Sequence, residues 1–164
     1  DQVIVNPLRI RQEYLNELAH TLVLYFTATT RESAAIISEQ QKNVREKKES
    51  SLEAMHQLKE QARMMKEALL RGKLNTIGEI LDFGFRQKKN MAANISNSRI
   101  DSIYQAALTA GATGGKISGA GGGGFMIFYC PGNTRYKVIE TLSTFGGRIQ
   151  PYQFTKGGMT SWSI

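Results

Sequence analysis

Between Lys116 and Phe125 the chain reads Lys-Ile-Ser-Gly-Ala-Gly-Gly-Gly-Gly-Phe, with five glycines in the six residues from Gly119 to Gly124. No other stretch narrows the possible folds so far. Glycine loses more conformational freedom on folding than any other residue. A folded chain therefore gathers it where the backbone takes positive φ or passes close to another group. The apolar run Phe125-Met126-Ile127-Phe128-Tyr129-Cys130 follows at once. It reads as a strand covered on both faces or central in its sheet. A glycine loop beside such a strand can present backbone N–H groups to an anion, often phosphate. Physics alone leaves two readings open: a tight joint that lets neighbouring elements pack closely, or a loop that holds phosphate.

The flanking sequence supplies a frame for that loop. Val3-Ile4-Val5-Asn6-Pro7 reads like a strand entering mid-domain, and the chain starts at Asp1 rather than Met, so we expect a piece of a longer protein. Leu22-Val23-Leu24-Tyr25-Phe26-Thr27 reads as a buried strand. Thr29 or Thr30 is the expected N-cap of a helix over 32–48, with Ala34, Ile37, Gln41 and Val44 along one side. Leu52, Met55, Leu58, Ala62, Met65 and Leu69 recur at helical spacing and predict a second helix over 51–71. Ser50 and Glu53 fit a capping box there, and Gly72 fits a C-cap. Nothing breaks the chain between these two helices, so one longer helix is equally allowed.

A third helix is predicted over 74–93, with Leu74, Ile77, Leu81, Phe85, Lys88 and Met91 on one face. A fourth is predicted over 99–110, with Ile100, Ile103, Tyr104, Ala107 and Leu108 inward and Gly111 at its end. The glycine loop then follows this helix directly and leads into the apolar strand. Beyond a Pro131-Gly132-Asn133 turn, Val138, Ile139, Leu142 and Phe145 predict a helix over 136–145. A last strand is expected over 149–154, with Pro151 marking an edge. The sum is one α+β domain over residues 1–164: an antiparallel sheet of about four strands packed against a cluster of helices.

Composition excludes several classes. No apolar run approaches the roughly 18 residues that span a bilayer. The single cysteine, Cys130, rules out an internal disulfide, packs as a small apolar residue and fits a reducing cytoplasm. The net charge of +7 resides mostly in the helical stretch and reads as solvated faces, or else as attraction toward polyanions. No RNA-binding aromatic motif or helix-turn-helix signature accompanies it, so nucleic acid is not the expected partner. His20 and His56 belong to no metal-ligand motif. The methionines read as core filler, and Trp162 as a cap of the tail against the sheet. Lys88 reads as a side chain that snorkels, and Asp101 as a partner of its helix dipole.

The segment from Gly114 to Phe125 resembles the third signature motif of the GHMP kinases, in which a G-A-G-x-G-G core follows a K-x-[ST]-like lead. Neither the dinucleotide fingerprint, which needs a strand before its glycines and a helix after, nor the ATPase P-loop, which needs Lys-Ser or Lys-Thr, fits as well. The runs Ile95-Ser96-Asn97-Ser98-Arg99-Ile100-Asp101 and Leu24-Tyr25-Phe26-Thr27 resemble the branch of the family acting on heptose 7-phosphate.

The resemblance implies a C-terminal domain whose N-terminal companion carries the ATP-phosphate loop, of the type P-x-x-x-G-L-[GA]-S-S, and the usual catalytic Asp. Neither is found here, so no catalytic residue is expected in this chain. The implied reaction is ATP-dependent phosphorylation of the anomeric hydroxyl of a heptose 7-phosphate, with Mg2+ as the companion of ATP, for bacterial surface polysaccharide. The implied phosphate or substrate contacts are Ser118, Gly119, Ala120, Gly121, Gly122 and Gly123, with Lys116 and Arg31 as further candidates. Arg31 earns its place because it opens a helix after a strand, where anions bind; a surface ion pair is the other reading. A kinase for another small acceptor such as a hexose, and a metabolite-binding module without turnover, are the alternatives.

Overall fold

The computed structural model describes residues 4–29, 33–155, 157–158 and 161–162. Arg31 and Thr30 lie outside the described residues, as does Val3. The elements run α1 (Gln12–Thr21), β1 (Leu22–Phe26), α2 (Ser33–Arg45), α3 (Glu49–Arg71), α4 (Ile77–Lys89), α5 (Ser98–Thr109), β2 (Gly114–Ile117), β3 (Phe125–Tyr129), α6 (Thr134–Ser143) and β4 (Arg148–Ile149). The four strands form one antiparallel sheet in the order β2-β3-β1-β4. The α+β architecture expected from the sequence is the one observed. Among the described residues no helix is long and apolar enough to cross a membrane.

β3 is central, and both of its sides are covered. Met126, Phe128 and Cys130 pack with Val23 and Tyr25 of β1, Ile100 and Ile103 of α5, and Val138 and Leu142 of α6. The intervening Ile127 and Tyr129 join a second cluster built from Leu18, Ala68, Ile77, Ile80 and Leu81. Full burial of a side chain of this size stabilises by about 1.5–3 kcal/mol. A strand apolar at every position can therefore only be stable with helices on each side.

Several boundaries differ from the sequence expectations. No strand is present over residues 4–7; the fourth strand is β2 instead. The last strand ends at Ile149 rather than 154, because Pro151 cannot donate to a ladder, and it lies at the sheet edge as expected. Trp162 is 81% exposed and does not cap the sheet. The 74–93 segment divides into a 3-10 turn at Leu74–Thr76, α4, and a second 3-10 turn at Ala93–Ile95.

α2 and α3 are separate helices. Lys47 takes φ 52°, Lys48 N–H donates to the Asn43 carbonyl (3.0 Å) and Lys47 N–H to Val44 (3.0 Å). This is a Schellman closure built on lysine rather than glycine, so the sequence carried no stop signal. The N-cap of α3 is Lys48 without a side-chain bond, and the Ser50–Glu53 pair lies inside the helix.

The inward stripes of α2 and α3 also differ. Ile36 and Asn43 are buried on α2, while Ala34, Ile37 and Gln41 are exposed. On α3 the buried positions are Ser51, Ala54, Gln61 and Ala68, and Met55 is exposed. Small side chains let α3 approach α4 closely, and a Cβ on Gly84 would collide with the Gln61 amide. The polar positions have partners: Gln61 Nε2 donates to the Ile80 carbonyl (3.0 Å), and Asn43 Nδ2 to that of Met91 (2.8 Å). Buried amides that are satisfied cost little, so an apolar count misplaced the contact face.

Candidate functional site

The glycine run is the connection of a β-hairpin. β2 pairs antiparallel with β3, with Ile117 opposite Met126, and residues 118–124 join them. A strand, not a helix, therefore precedes the loop. The sequence hid β2 because half of it is Gly114-Gly115. A Cβ on Gly114 would collide with the backbone of Gly78 in α4, so that helix sits directly on the strand.

The loop is open to solvent at one end and clamped at the other. Ser118 and Gly119 are exposed, while Gly122 and Gly123 are buried. The 3-10 turn that ends at Ile95 and the segment just past β1 form the clamp. Gly122 N–H donates to the Ile95 carbonyl (2.8 Å) and Gly124 N–H to that of Thr29 (2.7 Å). Thr27, which is fully buried, donates both its N–H and its hydroxyl to the Gly124 carbonyl (2.9 Å each). Gly121 has φ 116° and a Cβ there would lie 2.8 Å from the Ile95 carbonyl oxygen, so the loop can pass only as glycine at this point.

The hydrogen bonds show which amides are available. Those of Ser118, Gly122 and Gly124 are engaged with the protein. The Gly122 N–H, expected among the phosphate contacts, holds the loop in shape on the Ile95 carbonyl. Among the described residues, the amides of Gly119, Ala120, Gly121 and Gly123 meet no acceptor. The loop carbonyls are tied instead. Gly119 accepts from Lys88 Nζ, Ala120 from Gln40 Nε2 (3.5 Å) and Gly122 from Asn97 Nδ2 (3.4 Å). In a trans peptide the carbonyl and the following N–H point opposite ways. Each tether thus aims the next amide, those of Ala120, Gly121 and Gly123, away from the tethering side chain.

Asn97, Lys88 and Arg99 are the residues that sequence reasoning missed at this site. Asn97 works at both ends, since its Oδ1 also accepts from Ile100 N–H (3.0 Å) as the N-cap of α5. Its pattern as an N-cap was readable; its bond to the loop was not. We expect Asn97→Ala to lower stability by about 1 kcal/mol through loss of the cap. Asn97→Asp, which keeps the acceptor, should lose much less in a urea titration. Arg99 Nη2 donates to the Phe145 carbonyl (2.6 Å), just past the end of α6, and to the Thr27 carbonyl (3.5 Å), and so ties that helix end to the residue that holds Gly124. Asp101, in the first turn of α5, accepts from Ser96 Oγ (2.8 Å) and pairs with Lys89 (3.3 Å), as its place near the helix dipole implied.

Lys88 does not snorkel to water. It is half-buried in the last turn of α4, with its ammonium on the loop. Burial, reinforced by the charge of neighbouring Lys116, lowers its pKa to about 8; burial also lowers that of Lys116. Lys116 extends from β2, so the two cations flank the exposed end of the loop.

Cys130 is fully buried, and burial pushes its thiol up to about 12 against a slight opposing effect of Arg135. It should resist thiol reagents at pH 8 in the folded protein and react on unfolding. A folded value above the unfolded one means that this group's contribution to stability is complete below about 9 and fades as pH rises toward 12. Thiol titration with and without urea, at stepped pH, checks both statements.

Against known proteins, the family model described as GHMP kinases C terminal matches residues 65–148. D-glycero-alpha-D-manno-heptose 7-phosphate kinase of Campylobacter jejuni is 44% identical over 163 residues, covering 99% of this chain and 48% of that protein. Mevalonate kinase of Pyrococcus horikoshii is 33% identical over 126 residues, covering 74% of this chain and 36% of that protein. The crystal structure of a D-glycero-D-manno-heptose 1-phosphate kinase from Bacteroides thetaiotaomicron superposes with a TM-score of 0.69 at 30% identity, over 100% of this chain and 42% of that one. This chain spans about half the length of the first of these relatives, or less of the others. The glycine hairpin, with both of its strands β2 and β3, falls inside the matched segment, and the chain belongs to the family of GHMP kinase C-terminal domains.

Proposed function

We propose that this chain is the C-terminal half of an ATP-dependent sugar kinase that phosphorylates the anomeric hydroxyl of D-glycero-D-manno-heptose 7-phosphate, giving the 1,7-bisphosphate. The observation that carries the reading is the 44% identity to the C. jejuni heptose 7-phosphate kinase, sustained over 99% of the chain. The loop geometry supports it. In the transfer, a bond forms between the sugar oxygen and the γ-phosphorus while the bridge to the β-phosphate breaks. Such a step needs positioning and charge stabilisation rather than covalent help from the protein. The amides of Gly119, Ala120, Gly121 and Gly123 are free of acceptors among the described residues, and the exposed Ser118 can add a hydroxyl. Together they suit phosphate oxygens, and an exposed bend suits a site that the other half of the enzyme closes.

The base that takes the hydroxyl proton and the main nucleotide loop belong in this reading to the N-terminal half, and Mg2+ would enter as the companion of ATP. Arg31 keeps its proposed place near the phosphorylated substrate on sequence position alone. The product supplies nucleotide-activated heptose for bacterial lipopolysaccharide or capsule, made in the cytoplasm; the buried, unpaired thiol of Cys130 suits that compartment.

The full-length protein assayed with ATP and a panel of sugars tests this. We expect ADP release with heptose 7-phosphate. Turnover of a simple hexose or of heptose 1-phosphate, with the 7-phosphate ignored, would remove the assigned acceptor and leave the family standing. No turnover with any acceptor would favour a module that binds without catalysis.

A further inference from the structure

Lys88 and Lys116 present an electrostatic arrangement that the glycine loop alone does not explain. Lys116 lies two residues beyond Gly114 and so shares the face of β2 that packs on α4, the helix that carries Lys88. Burial costs both ammonium groups hydration, and the charge of Lys116 adds to that cost at Lys88. Among the described residues neither has an acidic partner: the seven ion pairs of the structure all lie elsewhere. Folds seldom hold buried charge uncompensated. The one bond that Lys88 makes, to the Gly119 carbonyl, uses one of its donors and leaves the rest of the ammonium uncommitted. That bond also sets the geometry. Because the Gly119–Ala120 peptide is trans, its N–H points away from Lys88. Lys88 and the Ala120 amide therefore face opposite sides of the same peptide, and one phosphate group cannot sit against both.

We propose that Lys88 and Lys116 form a second phosphate position, separate from the amide row, which takes the phosphate monoester that the acceptor already carries. The assignment to the acceptor rests on the kinase reading above, in which two phosphorylated reactants meet at this loop. The chemistry itself, a doubly charged phosphate between two ammonium groups, does not depend on it.

Two measurements on the full-length protein decide the matter. First, inorganic phosphate is titrated while the lysine side-chain nitrogens are followed by NMR. The Lys88 pKa should start near 8 and rise as phosphate binds. Lys88→Met and Lys116→Met should each weaken phosphate binding about tenfold, as expected for loss of one charge-assisted contact. Lys116→Met is the cleaner variant, since Lys116 ties no part of the loop. Lys116→Arg should retain most of the binding.

Second, in steady-state kinetics the two Met variants should raise KM for heptose 7-phosphate about tenfold while KM for ATP stays within about twofold. A rise in KM for ATP alone would overturn the acceptor assignment. Unchanged phosphate binding in both Met variants, or a fall in thermal midpoint with binding intact, would overturn the pair as a phosphate site. Should no sugar be turned over, the NMR titration still answers for the lysines, so the two readings fail separately.

Discussion

Gly121→Ala should reduce kcat/KM of the full-length protein in the proposed kinase reaction by about 100-fold while leaving most of the fold intact. Its φ of 116° is one that alanine rarely adopts, and the new Cβ would lie 2.8 Å from the Ile95 carbonyl oxygen and 2.9 Å from the Ile95 Cα. Both neighbours are backbone, so neither can rotate away. Strain of this kind costs about 1–3 kcal/mol where it is tolerated at all. The cheaper response is for the loop to shift off Ile95, which would break the Gly122–Ile95 hydrogen bond and re-aim the amides of Gly119 to Gly121. A misplacement of about 1 Å in a positioning element can cost about 100-fold in rate. Gly119→Ala is the control. Its φ of 74° is also left-handed, but a Cβ there meets nothing within 4 Å. A large loss at Gly121 beside a small one at Gly119, in kinetics and urea unfolding of both variants, would assign the effect to crowding. Equal losses would assign it to φ alone.

The largest effect on folding is expected from Gly114→Val. The added side chain would land on the carbonyl of Gly78 and close to the Asp82 Cβ, where α4 lies against β2. The obstacle is helix backbone, held by its own ladder, so relief requires the whole of α4 to lift. That would open both clusters at once, since Phe85 of α4 belongs to one and Ile77, Ile80 and Leu81 to the other. Overpacking against rigid backbone costs about 3 kcal/mol or more, a large part of a typical total stability of about 5–15 kcal/mol. In a domain of this size that lowers Tm by about 10 °C. Soluble yield and a thermal melt read it directly. A melt within about 2 °C of the parent would show that α4 does not press on this strand as described.

The two glycine positions differ in how visible they were beforehand. The cluster from Gly119 to Gly124 announced a constrained loop, because glycines at that density have few other uses. Gly114 and Gly115 instead removed the apolar alternation by which a strand is recognised, and so concealed β2. Gly114 makes room for a helix arriving from nearly forty residues upstream, and no local pattern records that. The same holds for Lys88. On its helix it is only a charge at the edge of an apolar stripe; it becomes part of the loop's surroundings because α4 ends beside Gly119.

The sequence by itself determined the two central strands, the helical stretches, the α+β class and a constrained loop over Gly119 to Gly124. Each of those rests on short-range periodicity or on glycine's backbone freedom, which are properties of consecutive residues. Tertiary structure alone decided which face each helix buries, that the loop is a hairpin, which of its amides remain open, and that two lysines flank it. Those depend on small and polar side chains meeting partners distant in the chain, where fit and satisfied hydrogen bonds, rather than hydrophobicity, set the contact.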